Sequence, residues 1–571
     1  MKNKTWNILL LLLLSLVTYL GLVFYLKHSG SWEGMDVGGR GICLLLSLLP
    51  SLILMISDMN RTDAQKLSRE RKKVQNSSKI PKELLKQKPE KGDFILGERN
   101  GKYVCTSIKD TDTHYSIIGT SGTGKTSCYL LNNLILNDDI GALVLDVKDS
   151  ELFRKSTKLG DANVEKFDPS AFDGSTWGFD PFYRLHQGCT EFEILDSMQI
   201  VANSLIPMPP DTKDPFWKNN AKNMFLGLAI KFYKDGSHDL VSISDKILGK
   251  PIEDNIDYVL GNSQPCDAEY KYLIMFQNME AVTLYGVYAE LASNLTVFAN
   301  HPGIRYAFGP GSRRKITPLD LEEKKRIFIC VNETEITTLS GVTKMILDVM
   351  LYGLQMRMKG REESTVDPVF FVIDELPQLL MNGPLNQLIQ GLRVLRSFKV
   401  RMVLAFQTRE SLETAFSSSQ VTDLISNTNY MIVLNGGNST GTLKMICDLV
   451  GQFKEKHESY QGAGNNRKTT VSYEDKDIIE PSDINRLPLE NKALILSPTG
   501  WMIVKKSPYY KCKYLAGKAE EILRYNKNVM EAENQAESEP EGRKTQVEQQ
   551  LDLWCTYKKR EMKKGEKEND E

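Results

Sequence analysis

The chain has 571 residues, 41% of them hydrophobic and 25% charged, a globular composition long enough for two or three domains. A formal net charge of −1 excludes a uniformly basic nucleic-acid coat, so any DNA-binding surface is local, a patch or a pore. The nine cysteines are scattered without a CxxC pair, which fits a reduced compartment without structural zinc.

Trp6 to Leu26 is uncharged and Leu-rich, long enough to cross a ~30 Å hydrocarbon core as a helix. Ile42 to Ser57 is a second, shorter apolar run. Lys2 and Lys4 precede the first run, and Arg61, Lys66, Arg69, Arg71, Lys72 and Lys73 follow the second. The pattern predicts a two-helix membrane hairpin over residues 1–60 with both termini cytoplasmic. A basic linker, 61–92, comes next. Phe94–Glu98 and Lys102–Thr106 flank Asn100-Gly101, a hairpin signal.

Tyr115–Ile118 reads as a buried strand. It breaks into G-x-x-x-x-G-K-[ST], here Gly119, Thr120, Ser121, Gly122, Thr123, Gly124, Lys125 and Thr126. Helix-compatible residues follow, which is the strand–loop–helix context a phosphate-binding loop requires. In such a loop backbone N–H groups and a helix N-terminus face phosphate oxygens. Lys125 supplies charge to the β- and γ-phosphates, and the Thr126 hydroxyl holds Mg²⁺.

Ala142–Asp146 and Val164–Phe167 are further strands, and strand–helix alternation argues for a parallel sheet. From about residue 185 the period becomes helical. Thr190-Glu-Phe-Glu193 is a capping-box pattern, Asp214-Pro215 opens a second helix, and Gln277–Phe298 reads as a third. Strands resume at Arg326–Val331, Val369–Ile373, Met402–Phe406, Tyr430–Leu434 and Ala493–Leu496. The fold class is therefore α/β, a P-loop ATPase domain in two parts, 93–184 and 316–515, around an all-helical insert, 185–315. The charged tail, 516–571, reads as mobile or loosely helical, with an apolar island at Leu551, Leu553, Trp554 and Tyr557.

Asp374-Glu375 ends the apolar strand Val369–Ile373. Asp374 is placed to hold Mg²⁺ and Glu375 to polarise the attacking water as general base; the alternative is a pair that caps the next helix. Gln407 ends its strand and is either a γ-phosphate sensor or a polar strand-end residue. Arg393 and Arg396 share one helix face, as a solvated surface or as an arginine finger for a neighbouring subunit. Trp217, Lys218 and the cluster Arg313-Arg314-Lys315 are candidates for contact with a nucleic-acid strand, against core packing and a solvated loop.

The chain resembles the type IV secretion system coupling proteins, the conjugative DNA-transfer ATPases of TraG/TraD type. The resemblance rests on Gly119–Thr126, Asp146-Val-Lys-Asp-Ser-Glu-Leu152, Asp374-Glu375-Leu376, Arg396 eleven residues before Gln407, and the domain layout. It covers roughly residues 1–515. Val147 and Asp149 replace the proline and glycine usual in that family. The resemblance implies a hexameric ring of RecA-like domains in the cell (inner) membrane that uses ATP and Mg²⁺. It implies a helical domain that receives single-stranded DNA with bound relaxase, and delivery of that cargo to the channel proteins. It makes Arg396 the finger acting in trans and Gln407 the γ-phosphate sensor. The competing readings are a septal DNA translocase of FtsK type and a recruiting adaptor that binds nucleotide without motor work.

Overall fold

The structure, a computed structural model, describes residues 2–29, 31, 40, 42–43, 46–48, 80–108, 113–169, 176–209, 212–310, 314–358, 361–362, 366–381, 383–461 and 468–538. It divides into two compact units, residues 1–77 with 452–478, and residues 78–451 with 479–571.

The larger unit is built on one twelve-stranded sheet. In chain order its first strands are β1 (Leu85–Lys86), β2 (Asp93–Arg99), β3 (Lys102–Ser107), β4 (Tyr115–Ile118), β5 (Gly141–Asp146) and β6 (Val164–Phe167). Two short strands, β7 (Gly178–Phe179) and β8 (Lys315–Ile316), pair apart from it. The sheet continues with β9 (Arg326–Cys330), β10 (Val369–Ile373), β11 (Val400–Phe406) and β12 (Tyr430–Val433). β13 (Gln452–Gln461) and β14 (Lys468–Asp477) belong to the other unit, and β15 (Lys492–Ser497) and β16 (Gly500–Lys505) close the series.

The order across the sheet is β1-β3-β2-β16-β15-β12-β4-β11-β10-β5-β9-β6. From β12 to β6 every neighbouring pair is parallel. The inner strands β4, β5, β9, β10 and β11 are buried at every position, which is why they read as continuous apolar runs. The antiparallel β2–β3 hairpin turns at Asn100 and Gly101, both left-handed at φ 51° and 75°, as a two-residue hairpin demands.

The stretch between β7 and β8 is helical in its longer elements. Glu191–Leu205 carries the capping box, Thr190 Oγ1 accepting from Glu193 N and Glu193 accepting from Thr190 N. Phe216–Lys234 and Ala281–Asn300 match the other two expected helices. Leu240–Leu248, Ile252–Gly261 and Ala268–Leu273 pack with them. β7 and β8 pair in parallel, so the chain leaves and re-enters the sheet domain side by side.

In the smaller unit, the first expected span is helical, Lys2–His28. Among the described residues no helix is long and apolar enough to cross a membrane. The expected membrane hairpin is therefore not supported among the described residues. Most of the second run, 42–57, lies outside the described residues. This unit also holds an antiparallel ribbon, β13 against β14, in register from Gln452↔Asp477 to Gln461↔Lys468. The sequence reading had no element there.

The first part of the C-terminal stretch is helical, the second of its two expected states. Ala516–Ser538 is a helix packed on the helix Glu151–Ser156. Ala519 and Ile522 are buried, and Asn526 Nδ2 donates to the carbonyls of Arg154 and Thr157 at 2.7 and 2.8 Å. Asn526 Oδ1 accepts from Leu159 N at 2.9 Å. One polar side chain thus serves three backbone groups, which holds a mostly charged helix in place. The apolar island at 551–557 lies outside the described residues. Asn526→Ala leaves these groups unpaired and is expected to cost about 2 kcal/mol. Urea unfolding of wild type and variant checks it.

Candidate active site

The parallel strands bring three chain turns to one edge of the sheet. β4 ends in the glycine loop, β11 beside it ends at Gln407, and β10 beyond that ends at Asp374-Glu375. β5, next to β10, ends at Asp146 and leads into Lys148.

The loop's glycines have separate reasons. A Cβ on Gly119 would lie 2.7 Å from Thr123 Oγ1 and 2.9 Å from Leu434 Cβ, so no side chain fits. Gly122 and Gly124 take φ of 76° and 101°, a region closed to most side chains. Asn435, just past β12, pins the loop: its Oδ1 accepts from Thr120 N and its Nδ2 donates to Thr120 Oγ1, both at 2.8 Å. The sequence reading missed Asn435. The only signal was an amide side chain ending an apolar strand, and nothing local told which strand lay alongside.

Lys125 is buried, and its Nζ donates to Gly119 O at 2.6 Å and lies 3.4 Å from Glu375 Oε2. Burial lowers its pKa, and the Glu375 charge opposes that shift. Thr126 Oγ1 donates to Asp374 Oδ2 at 3.3 Å, and Lys148 Nζ lies 3.5 Å from the same oxygen. Asp374 is fully buried, and its Oδ1 has no hydrogen-bond partner among the described residues. Burial pushes the Asp374 pKa up, against the pull of Lys148 and Lys125. Glu375 sits at φ 71°, left-handed for a side chain that gains nothing from it, a strain of about 1–3 kcal/mol that clusters at functional sites.

Asp146 faces inward and works on the backbone. Its two oxygens accept from Lys148 N at 3.3 Å and Phe153 N at 3.0 Å. These bonds shape the turn in which Asp149 and Ser150 take φ of 48° and 56°. Asp149 thus adopts the left-handed backbone that a glycine would adopt freely.

The structure brings Lys125, Thr126, Asp374 and Glu375 together, with Gln407 at the same edge, half-buried. It adds Lys148, to which the sequence reading had assigned no role. Arg396 lies apart. It precedes β11 rather than following it, so it sits at the opposite edge, roughly 23 Å of strand away from Gln407. There Arg401, fully buried, donates to Arg396 O at 2.9 Å. Burial and the charges of Arg401 and Arg396 hold His114 neutral, its pKa pushed down to about 3. Arg393 pairs with Asp423 at 2.5 Å.

The strand-contact candidates have structural partners. Trp217 packs on Gly286, and Lys218 pairs with Glu290 at 2.9 Å. Arg314 stacks on Trp177 and pairs with Asp320 at 2.9 Å. Arg313 lies outside the described residues.

A family model described as type IV secretory system conjugative DNA transfer matches residues 58–539. The chain belongs to this family. Among curated proteins none matches this conjugative DNA-transfer chain. Solved structures of the plasmid coupling protein TrwB share its fold. TrwB with the non-hydrolysable ATP analogue ADPNP is 16% identical, over 74% of this chain and 90% of TrwB, with a TM-score of 0.55. TrwB with ADP and Mg²⁺ is 16% identical, over 76% and 91%, at 0.54. Unbound TrwB, 16% identical over 74% and 89%, also scores 0.54. Over about three quarters of its length this chain thus has the α/β fold of TrwB.

Burial pushes the Asp146 pKa up to about 6, against about 3.9 in an unfolded chain. A raised acid pKa favours the fold fully below the unfolded value and loses that contribution as pH rises through the folded one. Stability is therefore expected to fall between about pH 4 and 6, on the order of 3 kcal/mol from this carboxyl. Asp146→Asn should flatten that slope in urea unfolding at pH 4, 5 and 6, and an unchanged slope would assign it elsewhere.

Proposed function

We propose that this chain is an ATP-hydrolysing coupling protein that accepts a relaxase–single-stranded DNA cargo and drives its delivery to the type IV secretion channel. Membrane association, through the Leu-rich N-terminal segment, and assembly as a hexameric ring are parts of this reading. The ATPase parts are taken as 93–184 and 316–515, and the helical insert as 185–315.

The observation that carries it is the meeting of Asp374-Glu375 with Lys125-Thr126, 248 residues apart between Thr126 and Asp374 in sequence and 3.3 Å apart in space. The orphaned Asp374 Oδ1, beside the Thr126 hydroxyl, suits the oxygen ligands Mg²⁺ prefers. Bound Mg²⁺ would neutralise charge on the β- and γ-phosphates. Backbone N–H groups of Gly122–Thr126 would cradle those phosphates, and Lys125 would leave Gly119 O to meet them.

Glu375 takes the proton of the attacking water. The new bond joins water oxygen to the γ-phosphorus, and the bond to the β,γ-bridging oxygen breaks, with its electrons leaving on ADP. Gln407 orients that water from the end of β11. Arg396 cannot serve its own site from the opposite edge, so its role is in the next subunit, across a head-to-tail interface. A finger of this kind contributes ~10³-fold or more in rate. An adaptor that only binds nucleotide has no use for an acid placed 3.4 Å from Lys125.

Lys125→Ala should abolish turnover and weaken nucleotide binding. Glu375→Gln should bind ATP and stall, since only water activation is lost; normal hydrolysis by that protein would rule Glu375 out as base and leave the adaptor reading. Arg396→Ala should bind ATP normally and hydrolyse it more slowly by ~10³-fold or more. Mixing inactive Arg396→Ala with inactive Lys125→Ala should restore part of the activity, because some interfaces then join an intact loop to an intact finger. A concentration-independent rate per subunit, with Arg396 dispensable, would sink the trans mechanism.

A further inference from the structure

β16 runs antiparallel to β15, which is antiparallel to β12, which is parallel to β4. The carboxyl end of β16 therefore reaches the same sheet edge as the glycine loop. Lys506, the next residue, sends its Nζ to Thr123 O in that loop at 2.7 Å. Its backbone is fixed first: Lys506 N donates to Asn491 O at 2.9 Å, and Asn491 Nδ2 donates to Lys506 O at 3.2 Å. The following residues are tied to the helix that leaves the loop. Asn132 Nδ2 donates to Ser507 O at 2.7 Å, and Tyr509 N donates to Ser127 O at 3.0 Å.

A loop whose N–H groups turn inward toward phosphate turns carbonyls outward, and a buried outward carbonyl needs a donor. Lys506 supplies it for Thr123. A neutral donor would do as much, yet the residue is a lysine, 6% exposed. Among the described residues no carboxylate forms an ion pair with it. A buried ammonium without a counter-ion costs stability unless an anion compensates. The anion that the adjacent loop is shaped to take is a phosphate chain.

We propose that Lys506 is a positioning residue of the nucleotide site: it fixes the Thr123 carbonyl and sets an uncompensated positive charge behind the loop, toward the nucleotide's phosphates. This rests on the nucleotide reading above. It makes the C-terminal strand pair part of the ATP site, although β16 lies three places from β4 in the sheet order.

The test uses the full chain, with calorimetric titration of ADP and of inorganic tripolyphosphate. Lys506→Gln keeps a donor for Thr123 and removes the charge. It is expected to weaken both ligands about ten-fold, the scale of one charge-assisted contact. At saturating ATP its kcat should stay within about two-fold of wild type, since the contact is equal in ground and transition states. Lys506→Arg, which keeps charge and donor, should bind within about three-fold of wild type. A lysine that only caps the carbonyl would leave the Gln variant with wild-type affinities, and that result overturns the proposal. So does a folded Arg variant that loses ten-fold. If wild type binds neither ligand, it is the nucleotide reading that has failed.

Discussion

Two buried acids at the end of β10 meet one lysine across β11 and another from the adjacent β5. Asp374 Oδ2 lies between the Thr126 hydroxyl and the Lys148 ammonium, and Glu375 stands 3.4 Å from Lys125. Taken alone, each acid would be expensive to bury. Together with the lysines they make a near-neutral cluster in which removing one member leaves another uncompensated. The rest of the larger unit serves this spacing. β11 separates β4 from β10, so the loop and the acids approach across its end without touching strand to strand. Asn435 and Lys506 brace the loop from β12 and β16, and Asp146 braces the turn that carries Lys148. The left-handed Glu375 is held by these constraints, since nothing in its own conformation favours it.

Much of this was legible in the residues because it is written locally. Glycines at Gly119, Gly122 and Gly124 announce a phosphate loop wherever they occur between a strand and a helix. An apolar strand ending in Asp374-Glu375 places two acids at one edge of the sheet. Buried parallel strands read as unbroken apolar runs, so β4, β5, β9, β10 and β11 were found. The braces were not legible, because Asn435 and Lys506 have meaning only once strand order is known. Lys148 was similar: its charge could be read, but its partner at the end of the neighbouring β10 could not. The ribbon β13–β14 escaped for another reason. Its residues, such as Lys454, Glu455, Glu474, Asp475 and Lys476, alternate charge with charge, so no apolar period marks it. The helix Ala516–Ser538 carries few apolar residues and is held by Asn526, whose bonding is invisible in composition.

Arg396 and Gln407 show what strand geometry adds to a spacing. Eleven residues apart in sequence, they occupy opposite edges of the sheet, with β11 between them. That strand is buried at all seven positions and parallel to a neighbour on either side. At its amino end Arg401 donates to Ile108 O at 2.8 Å as well as to Arg396 O, and Met402 N donates to the neutral His114 at 3.1 Å. Close-packed segments of this kind move as units, because bending them would open voids and orphan hydrogen bonds. In the proposed ring, a subunit's γ-phosphate contact through Gln407 and its service to the next subunit through Arg396 would therefore be two ends of one rigid body. A shift of β11 that improves one contact changes the other by the same motion, and coupling of that sort is reciprocal in binding free energy. A head-to-tail interface repeats the arrangement at every junction, so the direction from Gln407 to Arg396 is also a direction around the ring. Sequential firing would then need no separate signalling element, since in that proposal one strand, β11, would link the Gln407 contact to the Arg396 contact.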